Sequence, residues 1–253
     1  MEKIKTLERA VNILDSFSLD KPWQGVREVA RKVNLASSTT GRLMAAMKEL
    51  GILNQDPVTH TYSIGSHALA WAGIYSAVLD VRTAALPAMV KLQELTNETL
   101  SLYVMEGNER VCVERLESPQ TVRIVARVGR RIPLYAGSAG KCFLAFLPPD
   151  RREKILSKIT LKPLTSKTIT NRDELHQELE KIRQEGCAVS HGEWILEASG
   201  VASPVFNSNG QIVAALTISG PSPRFTEEKV RNYKTLVKVK ATEISMEMGY
   251  IPS

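Results

Sequence analysis

The chain has 253 residues, 43% of them hydrophobic and 24% charged, with a formal net charge of +6. That length supports one or two domains with their own cores, and the composition excludes a disordered or fibrous protein. No run of about 18 apolar residues suggests a membrane span, and Met1-Glu2-Lys3-Ile4-Lys5 leads into no signal-peptide core, so a cytoplasmic protein is expected.

The excess positive charge lies in an unexpected place. Residues 1–80 carry 9 Lys+Arg against 8 Asp+Glu, and the remainder carries 24 against 19. Within residues 26–50, however, Arg27, Arg31, Lys32, Arg42 and Lys48 outweigh Glu28 and Glu49. A nucleic-acid role must therefore rest on local geometry and not on bulk charge.

Taken in order, residues 4–18 place Ile4, Leu7, Val11, Leu14 and Phe17 on one stripe at helical period, with Ala10 and Ile13 beside it. Pro22 ends that helix region. Val26, Val29, Ala30 and Val33 predict a short amphipathic helix, Asn34-Leu35-Ala36 a tight turn, and Ser37 the N-cap of a second helix with Leu43, Met47 and Leu50 inward. Two ordinary packed helices or a helix-turn-helix over 26–45 both fit this spacing. The sequence then continues as a hairpin, with Ile52-Leu53, an Asp56-Pro57 turn and alternating Tyr62 and Ile64. A hairpin in that place is a wing, which favours a winged helix-turn-helix over residues 4–65.

Residues 66–80 read as an almost uncharged linker helix needing a partner surface, and 81–97 continue as helix with Pro87 near its start or at a kink. From Glu98 the period changes to two: strands are expected at 100–104, 111–113 and Thr121–Val128. Ala136–Lys141 opens an apolar helix to Leu147. Helices follow at Arg151–Lys158 and Asn171–Glu185, then strands on either side of the Asn207–Gly210 turn, and a last helix over Thr226–Met248. The whole is an α+β chain, with a sensor-like domain over 81–250 built on an antiparallel sheet.

Several motifs together resemble the IclR-type transcriptional regulators over almost the full length. They are L-E-R-A-V-N-I-L, V-R-E-V-A-R-K-V-N-L-A-S-S-T-T-G-R-L, E-L-G-I-L and Tyr62-Ser63-Ile64-Gly65 in the first part. In the second they are R-I-P-L-Y-A-G-S-A-G-K-C-F-L-A-F-L, the G-E-W near residue 193, G-V-A-S-P-V-F and L-T-I-S-G-P-S-P-R-F-T. The resemblance implies a winged helix, a linker helix, a GAF-like effector-binding domain, and dimers that pair into homotetramers. It also implies double-stranded operator DNA and a small organic-acid effector as partners, with repression the expected sense.

Beside it, the residue chemistry proposes Ser37, Ser38, Thr39, Thr40 and Arg42 as DNA contacts on the recognition helix, Arg27 on the preceding helix, and His60 and Thr61 on the wing. Gly41 stands where the family more often has a larger residue; it either permits close approach to DNA or is a neutral departure. The Ala136–Lys141 turn lacks Walker A spacing, and can be a bare helix cap or an anion site. By resemblance, Ser138, Ala139 and Gly140 meet a carboxylate effector, with Ser190, His191, Gly200, Thr217 and Ser219 opposite and Met105, Leu134 and Trp194 as apolar walls or plain core. Well-studied members carry an acidic residue near Ser190 and a cysteine at Gly200, so this chain's effector is expected to differ.

No enzyme is expected. The four histidines show no metal-ligand spacing with the three scattered cysteines, and neither cofactor nor metal is called for. A GAF-like redox enzyme using Cys142 beside Lys141 and a protein-interaction module are the alternatives.

Overall fold

The computed structural model describes residues 5–18, 20–77, 80–124 and 127–252. Two compact units emerge, residues 1–78 and 79–253.

In the first unit, α1 (Lys5–Asp15), α2 (Val26–Lys32) and α3 (Ser37–Glu49) precede the hairpin β1 (Leu53–Gln55) and β2 (Tyr62–Ile64), and α4 (His67–Ala77) follows. The wing pairs Leu53 with Ile64 and Gln55 with Tyr62, and Gln24 adds a further bridge to Tyr62. Ile13, Val29, Met44, Met47, Leu53 and Tyr62 form the core.

Three expectations change here. The inward line of α1 is buried Ile13 with partly buried Ala10 and Leu14, followed by partly buried Phe17 beyond the helix, while Leu7 and Val11 are exposed, because α1 meets α3 along the Ile13 side. Ile4 lies outside the described residues. Ser37 is not the N-cap of α3: that position is Ala36, in extended conformation and without a side-chain cap. The turn ends with Asn34 left-handed at φ 53° and Leu35 N–H closing on Ala30 O at 3.0 Å, which places the helix start one residue earlier than the capping rule suggests. Leu50 is exposed and Met44 takes the core position instead.

The second unit begins with α5 (Asp80–Thr96), which holds Pro87 in its interior. Its six-stranded sheet runs β5-β4-β3-β8-β7-β6, with β3 (Thr99–Glu106), β4 (Glu109–Leu116), β5 (Arg131–Pro133), β6 (Ala188–His191), β7 (Ala198–Phe206) and β8 (Ile212–Pro221) all antiparallel to their neighbours. The sheet follows the two-residue period. Leu100, Leu102, Val201, Leu216 and Ile218 bury one face beneath α5 and α9 (Glu227–Glu247). The opposite face presents Tyr103, Cys112, Ala202 and Ala215 to α6 (Ser138–Phe146), with α8 (Arg172–Glu185) behind it; α7 (Pro149–Leu156) lies between them in sequence.

The strand expected at Thr121–Val128 does not form over its described residues; Val125 and Ala126 lie outside them. Its carbonyls are taken by side chains. Ile124 O accepts from Arg115 Nη2 and from Thr99 Oγ1 at 3.4 Å, and Val122 O from Arg224 Nη1 at 2.7 Å. The β4 edge is instead used by Gly129, Arg130 and β5.

Candidate functional site

On the first unit, α3 shows Ser37, Ser38 and Arg42 to solvent, with Thr39 half-buried. The first-turn N–H groups and two hydroxyls suit phosphate oxygens, and Arg42 has the reach for a base edge or a phosphate. Arg27 is exposed in the first turn of α2, and His60 stands exposed on the wing with φ 56°. Thr61 is half-buried, its hydroxyl 2.8 Å from that of Thr59. Asp56 shapes the wing by accepting from Val58 N–H at 2.9 Å and Thr59 N–H at 2.7 Å; these bonds hold its carboxyl below the usual range.

Thr40 is a correction: it is fully buried, and its hydroxyl donates to Ala36 O at 3.1 Å, so it is turned away from any DNA. Gly41 is another. A Cβ built there would sit 3.4 Å from Val26 Cγ1, so this glycine faces α2 and not a DNA groove. Gly41→Ala is therefore expected to stabilise the first unit by about 0.5–1 kcal/mol through helix propensity, if Val26 yields a few tenths of an ångström. Thermal unfolding of the variant checks this, and a fall in stability would mean Val26 cannot move. Sequence reading missed Arg9, which lines a groove with Thr6, Thr39, Arg42 and Leu43 between α1 and α3. Its signal was only a basic residue beside an apolar stripe.

In the second unit, the sheet face toward α6 turns polar at one end. Ser190, Gly200, Ser219 and Thr99 lie in one cross-strand row, and Ala202, Thr217 and Ser101 in the next. This floor, the start of α6 and the Trp194–Ile195 turn enclose a cavity of about 60 Å³. Of the residues expected at an effector, Ser138, Ala139, Ser190, Gly200, Thr217 and Ser219 line it, as does Trp194. A Cβ at Gly200 would approach Ser138 Oγ to 2.9 Å, so the glycine leaves room for that hydroxyl.

Four of the expected positions lie elsewhere. His191 is exposed at the sheet edge, its Nδ1 3.0 Å from Ser199 Oγ; it lines a separate groove with Lys141, Lys167 and Glu178, because it stands one residue out of phase with Ser190. Gly140 is a packing glycine, its Cβ position 2.3 Å from Leu134 O. Leu134 is fully buried core, and Met105 packs against the same cluster.

The wall of the cavity is braced from behind. Glu193 accepts from Gly137 N–H at 2.9 Å with one oxygen and from Lys141 Nζ at 2.6 Å with the other. Lys141, 1% exposed, also donates to Glu178 at 2.7 Å and to Val189 O at 2.9 Å. Sequence reading missed Tyr103, Arg110, Arg130, Ile124 and Ile132, which also line it. The phase of Arg110 and Cys112, opposite to Val111 and Val113, was visible in the sequence, but nothing there said that this phase faces a cavity.

Cys142 is fully buried in α6, and burial pushes its thiol well above the ordinary range; Cys112 is likewise pushed up to about 11. An activated nucleophile needs the opposite shift. Since a raised pKa keeps these thiols protonated, no cysteine is expected to react with a disulfide thiol reagent at about pH 8 in the folded chain. Rapid labelling of native protein would reverse this reading.

Comparison with known proteins agrees over the whole chain. Residues 6–57 match the family model described as the IclR helix-turn-helix domain, and residues 74–246 match that of the bacterial transcriptional regulator IclR C-terminal domain. The regulator KipR of Bacillus subtilis is 33% identical over 248 residues, 98% of each chain. KdgR of Escherichia coli is 31% identical over 249 residues, covering 98% of this chain and 94% of that one. Among solved structures, the Thermotoga maritima IclR is 34% identical with a TM-score of 0.80, covering 98% of this chain and 100% of that one. An IclR homolog complexed with 4-hydroxybenzoate, from Microbacterium hydrocarbonoxydans, is 30% identical with a TM-score of 0.82 and coverage of 96% and 98%.

Proposed function

The chain belongs to the IclR family of DNA-binding transcriptional regulators, and from that membership we propose a cytoplasmic repressor whose hold on its operator is controlled by a small organic acid bound in the second unit. The observation that carries the effector part is the cavity itself: a half-open space floored by hydroxyls, bordered at one end by the first turn of α6 and containing a buried guanidinium. The relative solved with 4-hydroxybenzoate supports an acid as the ligand class.

Ser37, Ser38, Thr39, Arg42, Arg27 and the wing residues His60 and Thr61 form the DNA surface, with Arg9 added to it. Two copies read the two half-sites of a pseudo-palindrome, and pairs of dimers form the tetramer. Leu69, Trp71 and Ile74 of α4, strongly exposed on a helix with few charges, suit burial against a second copy. Residues 66–80 act as the linker, and residues 81–250 as the effector domain. Ligand binding shifts the population toward an arrangement that holds DNA less tightly, which requires different ligand affinity in the free and DNA-bound states.

The test is operator binding measured with and without a saturating ligand found by thermal-shift screening of small acids. Unchanged operator affinity would sink the effector mechanism. Binding to duplex DNA should fall steeply with salt, through counterion release; a flat salt dependence would point to the protein-interaction alternative. Arg42→Ala is expected to weaken operator binding by about 1–3 kcal/mol and relax specificity if Arg42 reads a base. Intact affinity and specificity would remove it from the interface.

A further inference from the structure

The charge of the effector can be argued from two arginines. Arg110 on β4 is only 4% exposed. Its Nη1 donates to two neutral carbonyls, Pro133 O at 3.0 Å and Ala136 O at 2.5 Å, and the guanidinium lies 5.3 Å from the Tyr103 ring centroid. Its Nε is buried without a hydrogen-bond partner. Glu193 is within electrostatic reach, yet both its oxygens are occupied by Gly137 N–H and Lys141. Burial accordingly lowers the pKa of Arg110, the mark of a cation held without a full counter-charge.

Arg130 stands beside it. Ile132 pairs with Arg110 across β5 and β4, and Cys112 N–H reaches Arg130 O at 3.2 Å, so Arg130 occupies the next position on the same face. Its guanidinium stacks over Trp194, 5.2 Å from the ring centroid, and lines the same cavity as Arg110. Two guanidiniums on neighbouring rows of one cavity offer an anion a partner at each end. The floor adds Thr217 Oγ1, buried and unpartnered, beside the hydroxyls of Ser190 and Ser219. The cavity, about 60 Å³, suits a short ligand.

We infer that the effector is a short dicarboxylate, one carboxylate received by Arg110 and the floor hydroxyls and the other by Arg130 against Trp194. This rests on the cavity being the effector site. Planar guanidinium groups suit carboxylates in this role, and an unpaired second guanidinium discriminates against an acid with one charge.

The test is calorimetric titration of the full chain with malonate and succinate against propionate and butyrate, with methyl phosphate as a probe carrying its charge at one end only. The diacids should bind at least about tenfold more tightly than the matched monoacids and more tightly than methyl phosphate. Arg130→Gln should collapse that ratio toward one, and Arg130→Lys should restore part of it. Arg110→Met should weaken every acid, but its buried position threatens folding, so the half-buried Arg130 carries the decision. Monoacids binding as well as diacids, or methyl phosphate binding best, would overturn the dicarboxylate and leave the effector cavity standing. A ratio unchanged in Arg130→Gln would overturn it too. No saturable binding by any probe to folded protein would overturn both.

Discussion

Lys141→Met is expected to destabilise the second unit by about 3–5 kcal/mol, because it removes the cation that is ion-paired directly with Glu193 inside the protein. Lys141 is 1% exposed and Glu193 7% exposed, so neither charge has water to fall back on. Without the ammonium, Glu193 keeps only Gly137 N–H, and Val189 O loses its donor. Glu178, at the rim, is less affected. The double variant Lys141→Met/Glu193→Gln should recover part of the loss, since removing both charges leaves none stranded. Denaturant unfolding of the full chain, read by hydrogen exchange at α6 amides, measures this. A single-variant cost under about 1 kcal/mol would show that the cluster is solvated and not a brace. Because Glu193 also holds the Gly137 N–H at the mouth of α6, the same variant should weaken effector binding at temperatures where it remains folded.

Gly140→Ala is expected to cost about 3 kcal/mol, against the usual gain from replacing a helical glycine. The added Cβ would stand 2.3 Å from Leu134 O and 2.4 Å from Arg110 Nη1. The first of these is backbone and cannot rotate away, so α6 must move off the β5 segment, carrying Ser138 and Ala139 with it. Gly41→Ala, where the nearest atom is a side-chain methyl at 3.4 Å, is the control for a helical glycine in ordinary contact. If Gly140→Ala unfolds no more easily than the parent and binds the same acids, the close approach of α6 to Leu134 is not a constraint on the site.

Much of this protein was legible in one dimension. Apolar spacing marked α2, α3, α5 and α9. Period-two alternation marked β3 and β4, and the Asn207–Gly210 turn marked β7 and β8 on either side of it. The hairpin after α3 turned a pair of helices into a winged helix. These features are local: each depends on which side chains share a face, and that repeats along the chain at 3.6 or 2 residues. The motifs carrying the family resemblance were local too, and they placed six of the cavity residues without coordinates.

What the tertiary structure decided was orientation and pairing across long separations. Thr40 and Met44 lie inside and Leu50 outside because α3 is rotated against α1 and α2 by packing, which the apolar stripe alone does not specify. The segment at 121–124 alternates like a strand but has its carbonyls claimed by Arg115, Thr99 and Arg224, the last about a hundred residues away in sequence. Arg110 and Arg130 read in sequence as two more basic residues. Only the antiparallel register of β4 and β5, with Trp194 folded over them, brings both guanidiniums to one cavity. Local propensity determines the elements, whereas burial of charge is a property of the assembled sheet, and that is why the site's most informative residues could not be seen before the fold.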